Sequence, residues 1–135
     1  GPSIEGDYFY VELSMRADKE GFVFNPREVY LELENGVNIQ ASKYLKPEFK
    51  LSIPNPSWYI GSILVGSLRR SWRLEENEQS ISEYFELPKD KWTGFAVRFE
   101  TPTPNPGTPF AIEIKGLKKW SMPFESYGVN AVAPT

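Results

Sequence analysis

Apolar and polar residues alternate along much of this chain, which is the pattern of β-strands that bury one face. The first such segment has apolar side chains at every second position, at Phe9, Val11, Leu13 and Met15. The same alternation recurs in four later segments, centred on Leu31, Ile39, Val97 and Ile112. Five strands are therefore predicted, and weaker alternation adds four candidates at 49–53, 58–65, 71–75 and 81–87.

An Asn-Gly pair that ends at Gly36 predicts a hairpin between the second and third of these segments. A two-residue turn would pair apolar side chains of one strand with polar side chains of the next. A three-residue loop, with Gly36 in the left-handed conformation, instead sets Leu33 against Val37 and Leu31 against Ile39. We therefore predict the three-residue loop, which keeps the apolar side chains on one face.

Proline shapes the longest loop. Four prolines lie between the segments centred on Val97 and Ile112, namely Pro102, Pro104, Pro106 and Pro109. Because proline lacks the N–H that a central strand donates, we expect 100–109 to form an extended, stiff loop outside the sheet. Other prolines interrupt the chain too often for long helices, so only short helical turns are expected, within 42–45 and 73–82.

Short strands with frequent turn signals predict an all-β fold, in which two antiparallel sheets pack as an immunoglobulin-like Greek-key sandwich. A small closed β-barrel is the alternative. The length of 135 residues fits one domain, which we expect to span 3–135. Gly1-Pro2 is typical of the remnant of a cleaved affinity tag.

The chain contains no histidine and no cysteine. Imidazole bases, thiolate nucleophiles, disulfides and zinc sites built on nitrogen or sulfur are therefore excluded. Carboxylates remain, but a glycosidase needs two of them about 5–10 Å apart in a cleft, which a compact sandwich of this size rarely has. We predict no catalytic residue, no cofactor and no metal site, and therefore a protein that is not an enzyme.

The charge balance limits the partners. Against 15 Lys+Arg stand 18 Asp+Glu, which gives a net charge of −3 and no basic field for nucleic acid. No apolar run approaches the roughly 18 residues of a membrane-spanning helix. Glu28, Glu32 and Glu34 share the polar parity of one strand and predict an acidic stripe on an outer sheet face. This stripe would suit a basic partner, or it serves only to keep the face solvated and to discourage edge pairing.

Arginine and tryptophan are concentrated in one segment, at Arg69, Arg70, Trp72 and Arg73. Together on a surface they would anchor a binding partner, because these two residue types are enriched at the centres of interfaces. On a strand, however, Trp72 and its neighbours point to opposite faces. The structural interpretation is therefore a core tryptophan between solvated arginines.

Four further aromatic residues lie where loops meet strands or near the C-terminus, at Trp58, Tyr59, Trp92 and Trp120. Exposed rings would stack on a sugar or anchor a protein partner. Buried rings would fill the ends of the sandwich, since tryptophan is highly buried on average.

These features predict a non-catalytic protein-binding module of an exported or periplasmic bacterial protein, such as a small lipoprotein, an inhibitor or an immunity protein. Binding would use the aromatic and arginine residues named above, or a sheet edge. A carbohydrate-binding sandwich with exposed Trp and Tyr is one alternative, and a structural module of a larger assembly is another. The expected location is the periplasm or the cell surface.

Overall fold

The computed structural model describes residues 8–16, 21–45, 57–60, 63–68, 78–80, 85–87, 89–91, 93–105, 107–119 and 125–132. The strands in this part of the chain are β1 (Phe9–Met15), β2 (Phe22–Phe24), β3 (Val29–Leu33), β4 (Asn38–Gln40), β5 (Lys43–Leu45), β6 (Ser57–Ile60), β7 (Ile63–Leu68), β8 (Glu78–Ser80), β9 (Phe85–Leu87), β10 (Thr93–Phe99), β11 (Pro109–Lys119) and β12 (Glu125–Val132). A 3-10 helix, Pro26–Glu28, lies between β2 and β3. Among these residues, no helix has the length and hydropathy of a membrane span.

The strands pair in two separate antiparallel sheets, so the protein is an all-β sandwich and the closed-barrel alternative is wrong. The first sheet has the order β6-β7-β1-β10-β5-β8. In the second sheet β11 is central, with β12 along one side. On the other side of β11, β3 and β2 follow one another, and they pair outward with β4 and β9.

Side chains from both sheets form one core, as the alternation predicts. The fully buried side chains include Phe9, Val11, Leu13, Phe95, Val97 and Phe99 from the first sheet, and Val29, Leu31, Ile112 and Ile114 from the second. Aromatic rings join the two layers. The rings of Phe9 and Phe110 meet edge to face at 5.3 Å, and those of Phe24 and Phe95 at 4.8 Å.

The hairpin between β3 and β4 has the predicted three-residue loop. Gly36 adopts a φ of 84°, and Leu31 pairs with Ile39. The amide of Leu33 donates to the carbonyl oxygen of Val37 at 2.9 Å, so the loop closes where expected. The side chain of Val37, however, is 47% exposed. Its predicted place on the core face is wrong, because it lies at the tip of the hairpin, beyond the paired residues of β4.

All five segments with strong alternation form strands. Of the weaker candidates, 58–65 falls on two strands, since β6 and β7 form a hairpin in which Ile60 pairs with Ile63. The candidate 81–87 contains β9 at its end, and the candidates 49–53 and 71–75 lie outside the described residues.

Both predicted helical turns are corrected where the structure describes them. Residues 43–45 form β5, which pairs with β10, and 78–80 form β8, which pairs with β5. Pairing with a neighbouring strand has overridden the weak local preference of these short segments for a turn.

The proline loop lies outside both sheets over 100–105 and 107–108, as predicted. Pro109 differs from the prediction, because it is the first residue of β11 and pairs with Val132. The first position of a strand is one of the few places where a sheet tolerates proline.

A detour of the chain separates β2 from β3 along the same side of β11. At this detour the amide of Asn25 donates to the carbonyl oxygen of Gly116 at 2.6 Å, and the Asn25 side chain accepts from the amide of Arg27 at 3.1 Å. The register of β11 against β12 also shifts here, between Ile114 and Leu117. The interruption between β2 and β3 on one side of β11 and the register shift against β12 on the other therefore lie at the same part of this strand.

Candidate functional site

Six of the predicted site residues lie outside the described residues, namely Arg69, Arg70, Trp72, Arg73, Trp92 and Trp120. The other two, Trp58 and Tyr59, belong to β6 at one end of the first sheet, where their backbones pair with Val65 and Leu64 of β7. The structure therefore places the backbone of these two residues at a sheet edge.

The longest sheet edge in the described part of the chain is β12. This strand has 8 residues, whereas the other outermost strands have 3 or 4. Within the described residues β12 pairs with β11 alone. After Glu125 its sequence contains no charged residue and no proline. Such an edge lacks the usual protection against pairing with another chain, and it presents a row of backbone donors and acceptors.

A glycine leaves a gap in the middle of this edge. Gly128 is exposed, and a Cβ built at its position would meet no atom within 4 Å in the described part of the chain. Gly128 pairs with Glu113 of β11, and Glu113 pairs with Tyr30 of β3. Because paired residues lie side by side on one face, these three form a row across the sheet that ends at the edge. The side chain of Glu113 is 46% exposed.

Charged groups surround Glu113 on this outer face. The ammonium of Lys115 lies 3.7 Å from the Glu113 carboxylate and 5.2 Å from the centre of the Tyr30 ring. The Tyr30 hydroxyl donates to a carboxylate oxygen of Glu28 at 2.6 Å, and this hydrogen bond raises the pKa of Tyr30. Glu32, on the same strand as Tyr30, is exposed. Of the three glutamates predicted to form an acidic stripe on one strand, only Glu32 lies on β3, whereas Glu28 ends the 3-10 helix and Glu34 lies in the β3–β4 turn. The prediction of a single-strand stripe is therefore wrong.

An open hollow of about 580 Å³ lies at one end of the sandwich, between the β3–β4 turn and the proline loop. Its lining is proline-rich and polar, and comprises Leu33, Glu34, Asn35, Thr101, Pro102, Thr103, Pro104, Asn105 and Thr108. The hydroxyl of Thr103 donates to the carbonyl oxygen of Tyr8 at 3.4 Å, which ties the loop to the chain just before β1. Hydroxyl and amide groups here can form hydrogen bonds with a ligand, and among the described lining residues Glu34 is the one with an ionisable side chain.

Two charged residues are buried on the outer face of the first sheet. Glu12 and Arg98 are each 7% exposed. One Glu12 oxygen accepts from the Ser14 hydroxyl at 3.4 Å, whereas the other has no hydrogen-bond partner among the described residues. Burial raises the pKa of the Glu12 carboxyl. The Arg98 guanidinium lies 2.7 Å from the Glu100 carboxylate and 3.8 Å above the centre of the Tyr8 ring.

Sequence reasoning missed β12, although a signal was present. Tyr127, Val129 and Ala131 occupy alternate positions, but serine, glycine and asparagine between them weaken the pattern. Within the described residues, no group of three acidic side chains is placed to hold a metal ion.

No family model, no curated protein and no solved structure matches this chain.

Proposed function

We propose that this chain is a non-catalytic protein-binding module and that its binding element is the β12 edge. The observation that carries the proposal is the length and composition of β12, an 8-residue strand with one partner in the described part of the chain and no charge after its first residue. An edge of this kind favours the addition of an extended segment from another polypeptide.

In this mode the partner segment forms main-chain hydrogen bonds with β12 and extends the second sheet by one strand. The affinity comes from the backbone, and the specificity comes from the side chains beside the edge. The β11–β12 register shifts between Ile114 and Leu117, so the most regular part of the edge is 127–132.

The absence of histidine and cysteine from the whole sequence supports a binding role over an enzymatic one. We also propose that the chain belongs to an exported or periplasmic bacterial protein, for example a small lipoprotein, an inhibitor or an immunity protein.

For the sandwich we propose an immunoglobulin-like Greek-key topology. The path of the chain supports this classification, because it passes from the first sheet to the second between β1 and β2 and returns between β4 and β5.

The proposal is tested with a matched pair of lysine substitutions. Gly128→Lys places a charge in the middle of the edge, at a position with space for a side chain. Val37→Lys places the same charge at the exposed tip of the β3–β4 hairpin. Each variant and the wild type serve as bait for proteins in an extract of the source organism, and the captured partner is purified.

We expect the wild type and Val37→Lys to retain the partner and Gly128→Lys to lose it, because a charge at an edge opposes strand addition. The purified partner should also slow hydrogen exchange of the backbone amides within 125–132. A partner retained equally by all three baits, with exchange slowed elsewhere, would contradict the proposal.

A further inference from the structure

We infer that the open hollow between the β3–β4 turn and the proline loop binds an alkylammonium group, carried either by a free aliphatic amine or by a lysine side chain. The inference goes beyond the proposed function, because the described lining of the hollow contains no residue of β12. The hollow and the β12 edge can therefore be tested separately.

The size and the place of the hollow suit a small ligand. Its volume is about 580 Å³. Small-molecule sites in proteins typically have roughly 300–1,000 Å³. The hollow also lies between two loops at one end of the sandwich, and loops that a rigid scaffold holds in place often carry binding residues.

Both walls of the hollow are held in place within the protein itself. In the β3–β4 turn, the amide of Gly36 donates to the carbonyl oxygen of Leu33 at 2.9 Å. The Asn35 side chain accepts from the amide of Val37 at 3.1 Å. In the proline loop, every residue over 101–105 is a proline or directly precedes one, which restricts its backbone angles. A ligand therefore has to order little additional chain, which favours affinity.

The lining is rich in hydrogen-bond acceptors. Pro102 and Pro104 each add a carbonyl oxygen and no N–H to the loop backbone. The Thr103 hydroxyl donates its hydrogen to the carbonyl oxygen of Tyr8, which leaves the hydroxyl oxygen as an acceptor. Glu34 adds a carboxylate, the one ionisable side chain among the described lining residues. A ligand with a positive charge and several donors therefore fits this lining better than an anion.

An ammonium on an aliphatic chain can use both kinds of lining. The ammonium has three N–H donors and no acceptor, so it can bind the Glu34 carboxylate together with hydroxyl or carbonyl oxygens. The Leu33 side chain and the rings of Pro102 and Pro104 provide apolar surface for the methylene groups. Calcium fits less well, because it takes roughly six to eight oxygen ligands, commonly several carboxylates among them.

The probes are cadaverine, which is a diamine with five methylene groups, the diol of the same chain length, and a lysine capped at both ends. Each is titrated into the whole labelled protein, and the backbone amide shifts within 33–37 and 101–108 give the dissociation constants. We expect cadaverine and the capped lysine to bind more tightly than the diol, and high salt to reduce this preference. Tighter binding of the capped lysine than of cadaverine identifies a protein side chain as the source of the ammonium, and the reverse order identifies a free amine.

A pair of charge variants assigns the preference to Glu34. Glu34→Gln should weaken the binding of cadaverine by about two- to fivefold, the usual effect of an exposed ion pair. Glu32→Gln removes the same charge from an exposed residue of β3 outside the described lining, and it should leave the binding unchanged. Both glutamates are exposed, so thermal unfolding of the two variants should match that of the wild type.

The inference is overturned if the diol binds as tightly as the amines, if calcium shifts the same amides at lower concentration than the amines do, or if no probe shifts them. Equal binding of cadaverine by Glu34→Gln and Glu32→Gln would also overturn it. Gly128→Lys should bind cadaverine as the wild type does. A natural partner that ignores Gly128→Lys therefore removes the proposed function and leaves this inference standing.

Discussion

At the centre of the first sheet, Glu12 combines a charged group with almost complete burial. In the part of the chain that the structure describes, the carboxylate has one hydrogen bond, from Ser14, and its second oxygen has no hydrogen-bond partner. Loss of water around a charged carboxylate is unfavourable, so the pKa of Glu12 is raised above its usual 4.5. The folded protein therefore binds a proton at Glu12 more tightly than the unfolded chain does.

This linkage predicts that Glu12 weakens the fold as the pH rises. Below about pH 4.5 the carboxyl is neutral in the folded protein and in the unfolded chain, so its charge does not reduce the free energy of unfolding. As the pH rises from there through the raised folded-state pKa of Glu12, the free energy of unfolding falls. Glu12→Gln keeps the shape and stays neutral, so it should increase the free energy of unfolding at pH 7, with a gain that disappears under acidic conditions. Chemical unfolding at several pH values measures this.

The control for that experiment is Glu32→Gln, which alters an exposed carboxylate on the second sheet. It should change the free energy of unfolding by less than about 0.5 kcal/mol at neutral pH. A loss of stability in Glu12→Gln at neutral pH would mean that the charged carboxylate has a favourable partner, for example the Arg98 guanidinium on the neighbouring strand.

Gly116 is required by the detour between β2 and β3. A Cβ there would lie far inside van der Waals contact of the Asn25 carbonyl oxygen, and 2.9 Å from the Cβ atoms of Asn25 and Glu28. Gly116→Ala should therefore reduce the free energy of unfolding by roughly 1–3 kcal/mol, the usual range for overpacking. Gly128→Ala is the matched control, because its new Cβ meets open space, and unfolding in urea should show little change.

Among the elements, the β3–β4 hairpin depends on the left-handed backbone of Gly36. A residue with a Cβ is strained at its φ of 84°, although nothing lies within 4 Å of the new atom. Gly36→Ala should cost about 1–2 kcal/mol, and Gly36→Asn less, because asparagine tolerates this conformation better. Equal thermal stability of both variants and the wild type would show that the loop changes its conformation at no cost.

The β3–β4 hairpin and the strands with strong alternation were predictable because the residues that determine them are close together in the sequence. Gly36 and the apolar positions around it suffice to choose the loop and the register, as pairing of Leu31 with Ile39 shows. Short strands such as β5 were not predictable, since their conformation comes from pairing with β10. The candidate site could not be predicted from the sequence for a similar reason. Glu113 and Gly128 are brought together by the pairing of β11 with β12, two strands that the local sequence pattern does not place side by side.

For the molecule as a whole, aromatic contacts between the sheets hold the sandwich together. Phe95 is fully buried, and its ring meets those of Phe24 at 4.8 Å and Phe85 at 5.3 Å, both in the opposite sheet. Phe95→Ala should reduce the free energy of unfolding by about 3–5 kcal/mol. Val37→Ala removes an exposed side chain and should cost less than about 0.5 kcal/mol. Similar reductions of the free energy of unfolding in both variants would contradict the placement of Phe95 in the core.

Residue-resolved hydrogen exchange of the protein alone tests the central claim, which is that β12 is an open edge. In an antiparallel pair every second residue directs its backbone N–H to the neighbouring strand. We therefore predict alternation within 125–132, with amides bonded to β11 exchanging slowly and those between them exchanging fast. Uniformly slow exchange along the strand would contradict the account, because another part of the chain would then cover the edge.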